Sequence, residues 1–361
     1  MRRGMAGRGS SDRAPIAVTR RGEADVKAAM RAQGSRDRSN LLRRCQSGDR
    51  GVGWASVREC PSSAGHEVDG RHLAPVIWAD TSLAPMSVLK KIAQHVYWMP
   101  PGRPDRPSIC AVVGDRRTLM LDAGSSAAHA RAFLADLVLE SGTRPSAVVY
   151  THSHWDHVLG GAEVGGLVVA HARTAEQLLA LAERDWSDEG LDRRVTAGHS
   201  SPQHAADVKA ELPSPRAVEV ALADIVFHDR IEIQLGGVTL DIRHVGGDHS
   251  ADASVICVEP DGMVFLGDCL SASPEGVLTS ASAFRLRDVI LGFAAEHYIE
   301  GHHEAVSSRS EMEELFEKMQ LAETAAREGR TIDAPDEDTE YFLQTFRAGH
   351  TNQSEGARKA E

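Results

Sequence analysis

Three imidazoles and a carboxylate lie within six consecutive positions near the middle of the chain: His152, His154, Asp156 and His157. They follow the apolar run 147–150, which predicts a buried strand. Because residues two apart on an extended chain point the same way, His152 and His154 can bind one cation together. Asp156 and His157 fall beyond the strand end, where the chain can turn toward a second cation. Nitrogen and oxygen ligands of this kind favour zinc, with iron or manganese as alternatives.

Strands and helices around this segment predict where further polar residues lie. Two hairpins are expected, joining residues 109–113 to 118–121 and residues 254–258 to 263–266. Asp122 directly follows the first hairpin, and Asp268 lies two residues beyond the second. Residues 238–244 alternate between apolar and polar types, which predicts a half-buried strand, and a helix is expected over 129–141. Strand-rich halves with helices between them predict two sheets packed face to face, with helices outside.

Charge is distributed unevenly along the 361 residues. Residues 1–85 hold 15 Lys and Arg against 9 Asp and Glu, whereas the remainder holds 25 basic and 43 acidic residues. Such an acidic body argues against nucleic acid as the routine substrate but is compatible with a small molecule. With 42% hydrophobic residues, the chain can bury a sizeable core.

Residues 1–85 are rich in Arg, Ser and Gly and lack a sustained hydrophobic period, which predicts a disordered extension. Met86 opens a run that is typical of a native amino terminus. We therefore expect Met86 to be the true start, with a genuine flexible arm as the alternative. The five cysteines form no CxxC pair, and neither an export signal nor a stretch of about 20 apolar residues is visible. These features predict a reduced, cytoplasmic protein without a membrane partner.

Taken in order, the polar motifs resemble those of the metallo-β-lactamase superfamily, over about residues 88–305. The HxHxDH signature of that family is matched by 152–157, and its strand-end aspartate by Asp122. Three later family positions, each after a glycine-containing turn or an apolar strand, are matched by His249, Asp268 and His302. His303 stands where the family usually has a small residue, and it is the alternative to His302 as a ligand.

This resemblance implies an α/β fold, a four-layer αββα sandwich of two mixed β-sheets flanked by helices. It also implies two zinc ions, or iron or manganese in their place. One metal would be bound by His152, His154 and His249. The second would be bound by Asp156, His157 and His302, with Asp268 bridging the two. Asp122 would orient a ligand histidine from behind, and His303 is a further candidate for such a supporting role.

The reaction that the resemblance implies is hydrolysis of a small-molecule ester, thioester, lactone or lactam by a bridging hydroxide. Asp156 could shuttle the proton, so Asp156 and Asp268 are the expected catalytic residues. Trp155 makes the loop similar to that of glyoxalase II, although the carboxy-terminal helical region that holds glutathione in those thioesterases is not recognisable. The alternatives are an iron-dependent oxidoreductase or dioxygenase of the same fold, and a metal-binding protein without catalysis.

We expect one hydrolase domain over residues 86–348. Its helical insert, about 172–225, lies between two metal motifs and either overhangs the site as a lid or packs outside a sheet. The amphipathic run 311–319 predicts a helix that packs on a sheet, with a homodimer contact as the alternative. The polar residues 349–361 predict a disordered tail.

Overall fold

The computed structural model describes the backbone of residues 88–360 and the side chains of residues 88–351. The predicted extension 1–85 and the proposed start at Met86 lie outside the described residues. The strands of the described part are β1 (Lys90–Lys91), β2 (Val96–Met99), β3 (Ile109–Val113), β4 (Thr118–Leu121), β5 (Ala147–Val149), β6 (Leu167–His171), β7 (Ile225–Phe227), β8 (Arg230–Gln234), β9 (Thr239–His244), β10 (Ser254–Glu259), β11 (Met263–Gly267), β12 (His297–Glu300) and β13 (Ser307–Ser308). The helices are α1 (Ala127–Ser141), α2 (Trp155–Val158), α3 (Gly161–Val164), α4 (Ala172–Ala182), α5 (Asp188–Thr196), α6 (Pro202–Glu211), α7 (Ser280–Leu291), α8 (Arg309–Arg327) and α9 (Glu337–Ala360).

The strands form two mixed sheets. The first contains β1 to β7 in chain order, with antiparallel pairing from β1 to β4 and parallel pairing from β4 to β7. The second has the order β13-β12-β11-β10-β9-β8, and its parallel pair is β11 with β12. Parallel neighbours end at the same edge of a sheet, which is where loops gather to form sites. Asp122 and the 152–157 segment follow β4 and β5 at one such edge, and Asp268 and His302 follow β11 and β12 at the other.

Alternation along the strands sorts the apolar side chains into three buried layers. In β10, for example, Val255 and Cys257 face the outer helices, whereas Ile256 and Val258 face the other sheet. One layer lies between the first sheet and the helices α1 and α4 to α6, and another lies between the two sheets. The third lies between the second sheet and the helices α7 to α9. The predicted αββα sandwich of two mixed sheets is therefore confirmed.

Several predicted elements differ from the observed ones at their ends. The helix expected over 129–141 begins at Ala127, because the side chain of Ser126 accepts the backbone N–H of His129 and caps it. It ends at Gly142, which takes the left-handed conformation with φ of 71°. The helix predicted over 311–319 is longer, and its start at Arg309 is fixed by a capping box between Ser308 and Glu311.

The backbone of α9 continues through Gly349 to Ala360, within the segment 349–361 whose polar composition predicts a disordered tail. The disordered tail stays a prediction. A Cβ atom at position 349 would lie 2.3 Å from the carbonyl oxygen of Leu278, so the glycine permits close packing instead of ending the helix. None of the helices in residues 88–360 has the length and apolar character needed to cross a bilayer.

Candidate metal centre

Four segments that follow strands carry the seven residues that the sequence suggests as metal ligands. The segment after β5 supplies four of them, and the first turn of α2 carries Asp156 and His157. The segments after β9, β11 and β12 supply His249, Asp268 and His302, respectively. The structure brings all seven side chains together, in two groups whose donor atoms lie within 4.8 Å of one another. The groups are His152, His154 and His249, and Asp156, His157, Asp268 and His302.

Asp268 lies between the two groups. Its Oδ2 atom is 3.2 Å from Nε2 of His157 and 3.4 Å from Nε2 of His302. The same oxygen is 3.5 Å from Nε2 of His249 and 4.0 Å from Nε2 of His152. One carboxylate oxygen therefore faces imidazole nitrogens of both groups, which is the position a bridging ligand requires.

Hydrogen bonds behind the imidazoles fix which ring nitrogen faces the site. Nδ1 of His157 donates to Oδ2 of Asp122 at 2.7 Å. The hydroxyl of Thr151 also donates to that carboxylate, at 2.7 Å, so its oxygen is left to accept Nδ1–H of His152 at 3.0 Å. In its neutral form each of these two imidazoles consequently presents Nε2, without a proton, to the site. Nε2 of His152 is buried and has no hydrogen-bond partner, which is the state of a nitrogen prepared for a metal.

His249 and His302 are supported from other parts of the fold. Nδ1 of His249 donates to the carbonyl oxygen of Ala272 at 3.1 Å, and its Nε2 lies 3.0 Å from Nδ1 of His154. Nδ1 of His302 lies 3.6 Å from a carboxylate oxygen of Asp105, while its Nε2 approaches Asp156 at 3.1 Å. His302 is the most accessible of the seven, with 39% of its side chain exposed, so it lies at the opening of the site.

Charge is concentrated among these buried groups. Burial alone would raise the pKa of Asp268, but the neighbouring imidazoles of His157 and His302 hold it well below its usual range. The pKa of Asp156 is likewise low in spite of burial, mainly because of His157. Burial and the nearby imidazole of His249 lower the pKa of His154 to about 4. In spite of burial, these carboxylates in turn raise the pKa of His157 well above its usual range and that of His302 to about 10. A divalent cation, which binds the deprotonated imidazole, would take the place of these protons between the same nitrogen and oxygen atoms.

Glycines allow the backbone to come this close to the carboxylates. A Cβ atom at Gly301 would lie 1.9 Å from Oδ1 of Asp268, and one at Gly267 would lie 2.6 Å from the Thr151 hydroxyl oxygen. Gly267 also has a φ of 53°, a conformation that side chains disfavour. The glycines before Asp268 and His302 are therefore required for the packing of the site.

A cavity of about 960 Å³ opens above the two groups. Its floor contains His154, Asp156, Asp268 and His302, and one wall comes from the helical insert predicted over about 172–225. That insert folds into α4, α5 and α6 followed by an irregular segment, and it lies against the site. Whether it moves as a lid stays a prediction.

Three polar residues near the motifs have partners outside the two groups. His303 is exposed and donates from Nδ1 to the carbonyl oxygen of Ala305, so the supporting role expected of it has no contact behind it in the described residues. Asp248 accepts the backbone N–H and the hydroxyl of Thr279, which connects its turn to the start of α7. Asp252 accepts a hydrogen bond from Ser250. Trp155 is buried in the layer under the first sheet, as its position in the motif suggests.

Sequence reasoning missed two residues that contribute to the site. Thr151 relays the hydrogen bonding of Asp122 to His152, and its place directly before the motif was the available signal. Asp105 lies in the cavity beside His302, and burial together with Asp156 raises its pKa to about 6. The turn 103–107 contains no pattern that would have indicated this.

Comparison with known proteins identifies structures with a similar fold and a matching protein family. The fold is similar to that of the inverting sec-alkylsulfatase Pisa1 from Pseudomonas sp., with a TM-score of 0.55, 14% identity and coverage of 73% of this chain. The chain spans about half the length of that sulfatase (50%). A β-lactamase domain protein from Burkholderia ambifaria aligns with a TM-score of 0.50, 14% identity, and coverage of 73% of this chain and 88% of that one. No curated protein sequence matches the chain.

The family model of the metallo-beta-lactamase superfamily matches residues 103–320. The chain therefore belongs to the metallo-beta-lactamase superfamily.

Proposed function

We propose that the protein is a dinuclear zinc hydrolase that acts on a small-molecule ester, thioester, lactone or lactam. The observation that carries this proposal is the position of Asp268, whose Oδ2 atom lies 3.2 to 3.5 Å from nitrogens of His157, His302 and His249. A carboxylate that faces both groups suits two cations close together better than one. Membership of the superfamily and the fold shared with a sulfatase support hydrolysis as the reaction class.

The residues present fit two divalent cations. Nε2 of His152 and Oδ1 of Asp268 are buried without a hydrogen-bond partner, and an unsatisfied polar atom in such a position is costly unless a ligand binds it. His152, His154 and His249 would hold one ion, and Asp156, His157 and His302 the other, with Asp268 between them. A mixed nitrogen and oxygen donor set favours zinc, and iron or manganese are compatible.

When bound, such ions lower the pKa of a water molecule and polarise the carbonyl or related oxygen of the substrate. The side chains of the chain itself perform the remaining tasks. Asp122, through His157 and Thr151, keeps two imidazoles in fixed orientations. Asp156 lies on the cavity floor, and its pKa far below the usual range makes it a weak base, so its carboxylate would hold the proton that the attacking water releases only briefly, as a shuttle.

The cavity sets limits on the substrate. Its volume of about 960 Å³ suits a small molecule. His302 and Asp105 are partly exposed and line the cavity together with residues of the insert. We propose hydrolysis in preference to iron-dependent redox chemistry because the mixed nitrogen and oxygen donor set favours zinc, and metal analysis discriminates between these two classes.

The test is metal analysis of the purified full-length protein combined with a substrate panel of lactones, thioesters, β-lactams and phosphodiesters. We expect two zinc ions per chain and turnover of one substrate class, lost on chelation and restored by zinc. Iron as the resident metal with oxygen-dependent turnover would move the protein to the oxidoreductase class. A folded protein that retains two metals but hydrolyses no member of the panel would contradict the proposed reaction.

A further inference from the structure

Three arginines of the helical insert line the cavity above the metal-ligand groups. They are Arg173 on α4, Arg184 shortly after α4, and Arg194 on α5. The floor below them contributes the carboxylates Asp156 and Asp268, and Asp105, Glu176 and Asp252 also line the cavity. The floor is therefore anionic, which metal ions would neutralise, whereas on the wall formed by the insert three arginines outnumber the single carboxylate of Glu176.

The cavity arginines differ in their partners from the other basic residues of the insert. Three basic side chains pair with carboxylates: Arg193 with Asp185 at 2.5 Å, Arg216 with Asp188 at 2.8 Å, and Lys209 with Asp192 at 2.6 Å. By contrast, no carboxylate of the described residues lies within ion-pair distance of Arg184 or Arg194. Arg194 donates to the carbonyl oxygen of His199, and the guanidinium of Arg184 lies 5.1 Å from the centre of the Trp186 ring.

Both guanidiniums are half-buried and near each other. Burial together with the charge of Arg194 lowers the pKa of Arg184 to about 10, so each cation disfavours the other. An oxyanion bound between them would relieve this repulsion and accept charge-assisted hydrogen bonds from two planar forks. Arg184 and Arg194 also line a neighbouring cavity of about 410 Å³, together with the ion pair of Arg193 and Asp185. Only the larger cavity also contains the metal-ligand floor, so it is the place where a substrate could reach both.

His204 on α6 connects the cationic wall to the metal-ligand groups. Its ring packs edge to face against Trp155, with ring centres 5.8 Å apart, and Trp155 lies between the ligand candidates His154 and Asp156 in sequence. His204 also interacts electrostatically with Arg184, Arg194 and Asp156. Because the arginine pair and the floor line the same cavity, one small molecule in that cavity can contact both.

We infer that the substrate carries an oxyanion, a carboxylate or a phosphate-like group, at the end remote from the bond that is cleaved, and that Arg184 and Arg194 bind this group. That the bound molecule is a substrate rests on the proposed hydrolase function, whereas the existence of the anion site does not depend on it. Arg184 and Arg194 act as specificity-determining residues in this proposal. Neutral analogues of the same shape are expected to bind more weakly.

The experiment measures binding to the full-length, metal-containing protein by calorimetry. The probes are linear dicarboxylates from succinate to suberate, and each is compared with its monoamide. Both members of a pair have one carboxylate that can reach the metals, but only the dicarboxylate has a second anionic group for the arginines. A second series replaces one carboxylate by a phosphonate. In the wild-type protein we expect the anionic end group to improve binding by about ten-fold or more at the best chain length.

Three variants test the assignment. Arg184→Gln and Arg194→Gln should each reduce that advantage to less than about three-fold, because one of two charge-assisted contacts is lost. Arg193→Gln is the matched control, since it removes the same charge from α5 but its guanidinium is paired with Asp185. The control should retain the full advantage.

Two outcomes would overturn the inference. One is a wild-type protein that binds diacids and monoamides equally at every length, in both series. The other is an advantage that survives in Arg184→Gln and Arg194→Gln, or that Arg193→Gln removes equally. The readout does not depend on turnover. A protein that hydrolyses the panel but shows no anion preference contradicts only this inference, and an inactive protein with the preference contradicts only the proposed function.

Discussion

Asp122 accepts a hydrogen bond from Nδ1 of His157 at 2.7 Å, and neither side chain is exposed to solvent. The same carboxylate accepts the backbone N–H and the hydroxyl of Thr151, and that hydroxyl oxygen accepts Nδ1–H of His152. His157 and His152 belong to different ligand groups. A single buried carboxylate therefore orients one imidazole in each group.

We predict that Asp122→Ala weakens binding at both metal positions. Both imidazoles lose the acceptor that fixes their tautomer, and loss of such a supporting group typically costs about 10- to 100-fold in metal affinity. Competition with a chelator of known affinity measures the change. Asp241→Ala is the control, because Asp241 is buried in ion pairs with Arg230 and Arg243 and belongs to neither ligand group. Equal loss of metal affinity in both variants would show a general effect of destabilisation.

A second prediction concerns the proposed ligands themselves. His154→Ala and Asp268→Ala should each abolish hydrolysis, and Asp268→Ala should lower the metal content of both positions because its oxygen faces both groups. His303→Ala should keep metal and activity, since this imidazole is exposed and bonds to its own loop. Metal content per chain and turnover are measured together. Full activity of His154→Ala or Asp268→Ala with metal bound would refute the ligand assignment.

Gly301 provides a third test, one that leaves every proposed ligand in place. In Gly301→Ala the new methyl group would lie 1.9 Å from Oδ1 of Asp268, so the carboxylate must move away from its position between the groups. We expect turnover to fall by at least about 100-fold, as misplacement of a reacting group by about 1 Å can cause. Gly102→Ala is the control, because its methyl group would meet nothing closer than 4.0 Å. Unchanged kinetics of Gly301→Ala would show that Asp268 tolerates displacement.

Much of the fold and of the candidate site could be predicted because short-range patterns determine them. The two hairpins, the strand over 239–244 and the αββα layers follow from alternation and turn residues, and the structure has them. The seven ligand candidates lie in the segments that follow strands, so their places in the sequence also indicated their places in the fold. The close packing of Gly349 against Leu278 had no such signal, because a glycine that permits close packing and one that ends a helix look identical in sequence.

Other features depend on contacts between distant segments and could not be predicted. Asp105 reaches His302 across 197 positions of sequence, and no pattern at either residue records that approach. Arg184 and Arg194 belong to an insert whose overall charge is acidic, so composition conceals the cationic wall. The contact of Nδ1 of His303 with the carbonyl oxygen of Ala305 likewise has no signal in the sequence, and the supporting role of His303 stays a prediction.

The last prediction is a pH dependence of stability that comes from His129, a buried residue of α1 that belongs to neither ligand group. Burial and the charge of Arg106 lower the pKa of His129 to about 3, with a smaller lowering by His157 and an opposing effect of Asp156. Its Nδ1 accepts the backbone N–H of Ser125 at 3.3 Å, which requires the neutral ring.

Between pH 6.5 and pH 3 the unfolded chain carries a proton on His129 that the folded chain lacks, so the free energy of unfolding falls as the pH falls. Titration of His129 should lower the free energy of unfolding by about 2 kcal/mol between pH 7 and pH 5. Above that window His129 contributes no pH dependence. His129→Gln should remove this part of the slope, although it lowers stability at pH 7 as well. Chemical unfolding at pH 7 and pH 5, with chelator present throughout, measures the free energy of unfolding of the wild type and of His129→Gln. The ligand imidazoles titrate in both proteins, so their contribution cancels in the difference. The exposed His303→Gln serves as the control and should keep the wild-type slope. If His129→Gln keeps it too, the ring of His129 accepts a proton in the folded state at an ordinary pH.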